Sequence, residues 1–461
     1  MSTSTLPARA TPAWFRLGLL SVSVIALCWS GALWYWRANG HLPAGPDLLT
    51  GLLILPLGVL SACWAGNEAL KRRAPIVAAP IAPASAAVPA VLAGATPVTT
   101  LSILGTSLRM PHGAAPDALL ALLARGKAQP DLDPELVDDD GFPVMTARSD
   151  DAVDELLQEE IAEWLAQRGL ADVVLSEEGW RALTLGTVVL RELAQQSTAF
   201  LAQGGVTLRL SAVLPAQWSP DERHAAGEWW QHLLAQWGWP AARIRVELAQ
   251  PAPGATPSAL LARLVQEAGD ASGPTILLAC ESHIGQDTID RWSAAGLLFS
   301  AAHPHGLVPG EGAAGLLLAG AGTATLLRLA SMACGPAATS RKRIDPVFLA
   351  RLAGHALQDD AALRDSVALI VADTGAATRH LLELMEFSAA TTPQLDSASD
   401  ILALGQACGA CGAVPFVAAL ALARSAALEQ GTPVLCISND DTSVRAVALV
   451  SHPIDDSGSI A

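Results

Sequence analysis

The stretch that most narrows what this chain can fold into is Pro309-Gly310-Glu311-Gly312-Ala313-Ala314-Gly315-Leu316-Leu317-Leu318. A Gly-Glu-Gly turn runs straight into an apolar strand whose first residues are all small. Upstream lies a second apolar run, Thr275-Ile276-Leu277-Leu278-Ala279-Cys280, followed by Glu281-Ser282-His283. Short unbroken apolar runs bounded by turn signals read as strands covered on both faces. The two predict neighbouring strands of a buried sheet with a helix between them.

The remaining chain alternates strands with helices. Strands are predicted at 98–105, 206–214, 243–248, 367–372, 433–438 and 444–450, and helices at 116–125, 151–168, 183–201, 259–268, 287–295, 345–357 and 379–387. In the 151–168 helix, Val153, Leu156, Leu157, Ile161, Trp164 and Leu165 fall on one face, with glutamates on the other. Ser219-Pro220-Asp221-Glu222 carries an N-cap, a proline at the first helical position and a capping box. The helix it opens bears Trp229, Trp230 and Trp237 on an apolar stripe. That stripe reads either as a partner-binding face, since Trp is enriched at hot spots, or as packing on the sheet. Gly405 to Ala413 is a glycine-rich lead into a long apolar helix with no polar face, hence a buried one. The pattern is that of a layered α/β protein with an internal duplication.

The amino-terminal end is different. Residues 17–36 and 48–65 are two uncharged apolar runs of membrane-spanning length. Trp14, Trp34, Tyr35, Trp36 and Trp64 stand near their ends, and Arg and Lys flank both spans on the outside. The two runs read as a two-helix hairpin (1–66), and the positive-inside rule then places both its ends, and with them the main domain, in the cytoplasm. A signal peptide is the rival reading of the first run, weakened by the second span that follows at once. An Ala/Pro-rich tether (67–97) leads to the main domain, 98–455, with halves at about 98–330 and 340–455. Net charge is −16, which argues against nucleic acid as a partner. The seven scattered cysteines outline no disulfide framework.

The motifs resemble the thiolase-like β-ketoacyl synthase fold, a layered αβαβα architecture. Pro309-Gly310-Glu311-Gly312-Ala313 is similar to that family's Gly-Glu-Gly-Ala strand. Cys280-Glu281-Ser282 stands where the family has a small-residue strand end. Gly405-Gln406-Ala407-Cys408-Gly409-Ala410-Cys411-Gly412-Ala413 is similar to its Gly-His-x-x-Gly-Ala-x-Gly lead into a helix. The resemblance implies a Cys nucleophile, placed within 179–201, and two histidines. Yet 179–201 has no cysteine, Gln406 replaces one histidine, and Asp373 stands where the other is expected. The lysine expected just before Gly405 is absent too. A glutamine cannot shuttle a proton as imidazole does, so the condensing chemistry is expected to be lost. The chain reads as a pseudoenzyme needing no cofactor or metal.

A synthase-like shell with a membrane hairpin also resembles a family of proteobacterial inner-membrane proteins. One type within it is the adaptor for a lipase effector of the type VI secretion system. The segment 132–144, the Pro309 motif and 438–445 carry this resemblance. It implies two partners, a secreted lipase effector and the secretion spike protein, and the parent fold implies a homodimer. The alternative is an acyl-thioester enzyme or acyl-chain binder.

Other constellations are weaker. The acidic run at 131–140 lacks the spacing of a calcium loop and reads as a solvated turn. Cys408-x-x-Cys411 reads as a redox pair, half a zinc site, or small residues for close packing. His283, His303 and His305 lack acidic or thiol company for a metal.

Overall fold

The computed structural model describes residues 98–202, 204–249, 273–320, 325–333, 346–440 and 444–452. The expected membrane hairpin, the tether and the 259–268 helix lie outside the described residues. Among the described residues no helix is long and apolar enough to cross a membrane.

Twelve strands are labelled β1 (Thr99–Arg109), β2 (Asp131–Val137), β3 (Pro143–Thr146), β4 (Leu208–Val213), β5 (Ile244–Ala249), β6 (Thr275–Ser282), β7 (Glu311–Gly320), β8 (Thr325–Ala333), β9 (Leu369–Ala372), β10 (Ile401–Ala403), β11 (Val434–Ser438) and β12 (Val444–Ser451). The helices that matter below are α1 (Pro116–Ala124), α2 (Glu155–Gln167), α3 (Glu177–Ser197), α4 (Pro220–Gln236), α5 (Gln286–Ala294), α6 (Pro346–Ala356), α7 (Thr378–Thr391), α8 (Leu404–Cys408) and α9 (Val414–Gln430).

Ten strands form one sheet in the order β10-β9-β11-β12-β8-β1-β7-β6-β4-β5. That order contains a repeat. The first half reads, from its edge inward, β5-β4-β6-β7-β1, and the second β10-β9-β11-β12-β8. In both, the third strand of the half is at the edge, then the second, fourth, fifth and first. Directions repeat as well. β4 is parallel to β5 and β6, and β9 to β10 and β11, whereas β6–β7, β7–β1, β11–β12 and β12–β8 are antiparallel. The antiparallel pair β1–β8 joins the halves. The molecule is thus a duplicated mixed α/β fold, and β6 and β7 are the neighbours that their apolar runs predict.

β8 and β10 are two strands that periodicity does not flag. β8 (Thr-Leu-Leu-Arg-Leu-Ala-Ser-Met-Ala) lacks clean alternation, and β10 has only three residues and takes its partners from β9. The 98–105 strand extends to Arg109 because its pairing with β7 runs from Leu101 to Arg109.

α9 explains why a helix can be apolar all round. It packs on β1, β6, β7 and β8 and also on β9, β11 and β12, so the sheet wraps it from both halves. Its residues from Val414 to Ala423 are all buried. Each Leu, Val or Phe buried there contributes roughly 1.5–3 kcal/mol. Outside the sheet, α3 covers β1, β6 and β7, and α6 covers β8 and β12. β6 is buried at all eight positions because helices lie on both its faces.

α2 corrects the sequence reading of its face. Leu157, Ile161 and Leu165 are buried, but Val153 and Leu156 are 57% and 79% exposed. The helix proper starts at Glu155, with Asp154 as N-cap accepting from the Leu157 N–H. Val153 precedes it, and what faces the core is Leu157, Ile161 and Leu165, with Trp164 partly buried against the same cluster. The acidic stretch forms a β2–β3 hairpin closed by a turn. Asp138 Oδ1 accepts from the N–H groups of Asp140 (3.0 Å) and Phe142 (2.9 Å).

Candidate functional site

The two motifs that carried the resemblance meet. Residues 308–310 lie against 408–410, with the Ala410 N–H donating to the Val308 carbonyl at 2.7 Å and Pro309 bridging to Ala410. A Cβ at Gly310 would overlap the Cys408 carbonyl oxygen. Glycine is required there because backbone approaches backbone. Gly409 (φ 65°) faces the Val308 and Pro309 carbonyls, and a Cβ at Gly405 would overlap the Asp373 carbonyl. The turns at 309–312, 373–375 and 405–412 therefore converge, though they are far apart in sequence.

Glu311 is the centre of this junction and is fully buried. Arg181, from α3, holds it with both ends of its guanidinium: Nε donates to Oε2 at 2.8 Å and Nη2 to Oε1 at 2.5 Å. The Ser149 N–H donates to Oε1 at 2.7 Å and Ser282 Oγ to Oε2 at 3.0 Å. Four donors thus share two oxygens. A buried carboxylate stays charged only with such company. Glu311 ties together α3, the loop after β3 and the end of β6. Gly312 and Ala313 continue this strand as β7; a Cβ at Gly312 would lie 2.9 Å from Met110 Sδ.

Asp373 occupies a second buried network, at the carboxyl ends of the parallel strands β9 and β11. Its carboxylate accepts from Ser438 Oγ (2.5 Å) and from the N–H groups of Asn439 (2.9 Å) and Asp440 (3.1 Å). Burial pushes its pKa up to about 6, against the opposing Ser438 bond. Thr374 Oγ1 donates to Asn439 Oδ1 at 2.5 Å, and Asn439 Nδ2 donates to the His380 carbonyl at 2.9 Å. Arg445 Nε pairs with Glu383 at 2.9 Å. Each polar group of Asp373 faces a partner from its own chain. Gln406 follows Gly405 directly, yet its side chain is exposed. The two positions where the resemblance expects histidines therefore do not face each other across a cleft: one is built into the core and the other looks outward.

The described cysteines are poorly placed for nucleophilic chemistry. Cys280, Cys408, Cys411 and Cys436 are free and buried. Burial raises every one of these thiols, and neighbouring carboxylates add to the rise for Cys280, Cys411 and Cys436. A thiol nucleophile needs the opposite. Ser176 caps α3, its Oγ accepting from the Gly179 N–H, and the helix carries Glu178 and Arg181 in its first turns. The segment between β5 and β6 is the one that strand order matches to the α9 segment of the second half; its residues 250–272 lie outside the described residues, and their sequence has no cysteine. Glu281 is buried beside Cys411 and Gly412, its one side-chain donor being Gln217 Nε2 at 3.2 Å. Burial pushes its carboxyl up to about 8, and Glu178 nearby adds to that. Gly412 (φ 53°) is needed there, because a Cβ would come within 2.8 Å of Glu281 Oε2.

The tryptophan stripe is core. Trp229 and Trp230 are 0% exposed, and both indole N–H groups donate to Thr187 Oγ1, at 3.1 and 3.2 Å. Trp237 is partly buried against the same cluster. A covered ring offers no face to a partner, so the packing alternative holds for Trp229 and Trp230. His283 Nδ1 contacts the Ala410 carbonyl at 2.8 Å, and its ring lies against Trp292. His303 and His305 sit exposed on a loop. Among the described residues, no three His, Cys, Asp or Glu side chains gather as metal ligands.

Arg181 and Thr187 carry no motif. An arginine inside an otherwise apolar helix face is the signal that could mark Arg181, since a buried guanidinium needs a carboxylate. Nothing local marks Thr187, whose role comes from two indoles on another helix.

No protein-family model matches the chain, and no curated protein matches it significantly. Solved structures do. A ketosynthase from module 6 of the bacillaene synthase of Bacillus subtilis superposes with a TM-score of 0.54 at 12% identity, covering 77% of this chain and 72% of that one. An oxazolomycin ketosynthase domain of Streptomyces albus gives 0.53 at 12% identity, covering 79% and 76%. The ishigamide ketosynthase/chain length factor gives 0.51 at 16%, covering 77% and 99%. The fold is thiolase-like, of the ketosynthase type. At these identities the likeness speaks for the fold alone.

Proposed function

We propose that this chain is a non-catalytic binding protein on a ketosynthase-like frame. In this reading it is an adaptor that holds a toxic phospholipase or lipase effector in the cytoplasm. It helps to load that effector onto the type VI secretion spike, and residues 1–66 tether it to the inner membrane. The observation that supports the loss of chemistry is the fate of the family positions. Asp373 is consumed by a structural network, Gln406 faces outward, and the described cysteines are buried with raised pKa values. The finer assignment rests on the resemblance of 132–144, 309–318 and 438–445 and on the two apolar runs. The test is affinity purification of the tagged full chain from its native host. An effector lipase or spike protein in stoichiometric amount is expected. Their absence, with neither encoded by neighbouring genes, sinks the adaptor reading.

A second reading, carried by the motif resemblance at 309–313 and 405–413, is an acyl-thioester enzyme or acyl-chain binder. Turnover of an acyl-CoA by the purified chain would establish it in place of the first.

A further inference from the structure

The β2–β3 hairpin, α5 and the loop that follows α5 make a satellite with its own small core of Leu136, Val144, Ile284, Ile289, Trp292 and Leu298. The parts are stitched together. Gln286 Nε2 donates to the Val137 carbonyl at 2.8 Å, and Ser293 Oγ donates to Asp139 at 2.8 Å. Beyond α5, Leu307 N–H donates to the Leu297 carbonyl (2.6 Å) and Phe299 N–H to the Leu307 carbonyl (2.9 Å), which makes a short ribbon.

Along that ribbon Leu298 points into the satellite core and its neighbours point out. In a half-buried ribbon the outward positions are ordinarily polar. Here they are Leu297 (48% exposed), Phe299 (37%) and Leu307 (42%). The hairpin, bonded to α5, adds Val137 (38%) and Phe142 (67%). Exposed apolar side chains gathered like this mark an interaction surface, whereas scattered ones need no explanation. Acidic charge is in excess on the same elements: the hairpin turn and α5 carry Asp138, Asp139, Asp140, Asp287 and Asp290 against Arg291, with His303 and His305 exposed on the ribbon's own loop. An excess of carboxylates beside apolar anchors selects a partner by charge and holds it by burial.

We propose that this outer face of the satellite is a docking surface for a partner protein whose contact segment carries aliphatic or aromatic anchors flanked by lysine and arginine. The proposal rests on the adaptor reading and names its contact face and the chemistry of its cargo.

The probe is a fluorescent 18-residue amphipathic Leu/Lys peptide, with a Leu/Glu peptide of the same leucine spacing as its control, titrated into the full chain. The Leu/Lys peptide is expected to bind, more weakly as salt rises, and the Leu/Glu peptide at least tenfold less well. Phe142→Ser/Leu297→Ser is expected to weaken the Leu/Lys peptide at least tenfold without moving the thermal midpoint by more than a degree or two. Val153→Ser/Leu156→Ser, which alters an exposed apolar pair away from the satellite, is expected to leave binding unchanged. Equal binding of the two peptides, no binding, or full binding by Phe142→Ser/Leu297→Ser overturns the proposal. So does a change in oligomeric state in that variant, since a second copy would then be what covers the face. The outcome is separable from the adaptor reading. An effector that co-purifies equally with wild type and Phe142→Ser/Leu297→Ser refutes the face and keeps the adaptor, whereas no effector with either refutes the adaptor.

Discussion

Replacing Glu311 by glutamine would leave the Arg181 guanidinium, whose side chain is 4% exposed, without its counter-charge. Glu311 now satisfies four donors with two oxygens. Glutamine keeps one acceptor and turns the other into a donor that faces donors. Breaking one side of a buried pair costs about 3–5 kcal/mol, most of it the uncompensated charge. At roughly 2 °C per kcal/mol for a large domain, the thermal midpoint should fall by about 6–10 °C. Urea unfolding is the assay, with an unchanged denaturant slope showing that only stability moved. The pairing argument makes a sharper demand on the double variant. Arg181→Met/Glu311→Gln carries no buried charge and should be more stable than Glu311→Gln alone by about 1–3 kcal/mol of coupling. A loss below about 1 kcal/mol in Glu311→Gln, against the range for a broken buried pair, would refute the reasoning. So would a double variant no more stable than the single.

Thr187→Ala removes the acceptor shared by Trp229 and Trp230; at about 1–3 kcal/mol per unsatisfied buried donor, a loss of roughly 2–6 kcal/mol is expected in urea melts, and Thr187→Ser should keep most of the stability. Glu281 keeps its proton in the folded chain up to about pH 8, whereas unfolded it loses it near 4.3. Its contribution to stability is therefore complete below about pH 4 and lost as pH rises towards 8. Glu281→Gln should flatten the urea midpoint between pH 5 and 8, and an unchanged slope in the variant would count against it. Asp373, pushed up to about 6, adds a loss of the same sign between about pH 4 and 6. Gly412→Ala forces a side chain into a left-handed backbone and against Glu281. It should cost at least about 1 kcal/mol of strain and show as a lowered midpoint.

Much of the frame could be read from residue order because each local signal agrees with its surroundings. Ser219 to Glu222 forms the capping box its pattern predicts, and the 275–282 and 311–320 runs pair as neighbours. α9 is buried as its lack of a polar face requires. Where reading failed, the deciding interaction was distant. β8 is a strand because β1 and β12 flank it. Val153 and Leu156 share the period of the buried residues, yet nothing packs over them, since only tertiary placement decides which part of a stripe faces the core. At the site, the substitutions at Gln406 and Asp373 were visible residue by residue. That Asp373 is locked by Ser438 and Asn439, and Glu311 by Arg181, was not, because those partners come from elements 65 to 130 residues away.

The central claim is that the ketosynthase-like frame has lost its condensing chemistry. Its most direct test is intact-mass and peptide mapping of the purified full chain after incubation with acyl-CoA thioesters of several chain lengths. The account predicts no covalent adduct on Cys280, Cys408, Cys411 or Cys436 and no thioester consumption above the buffer control. An acyl adduct on any of these cysteines, or turnover abolished by substituting one of them, would contradict it.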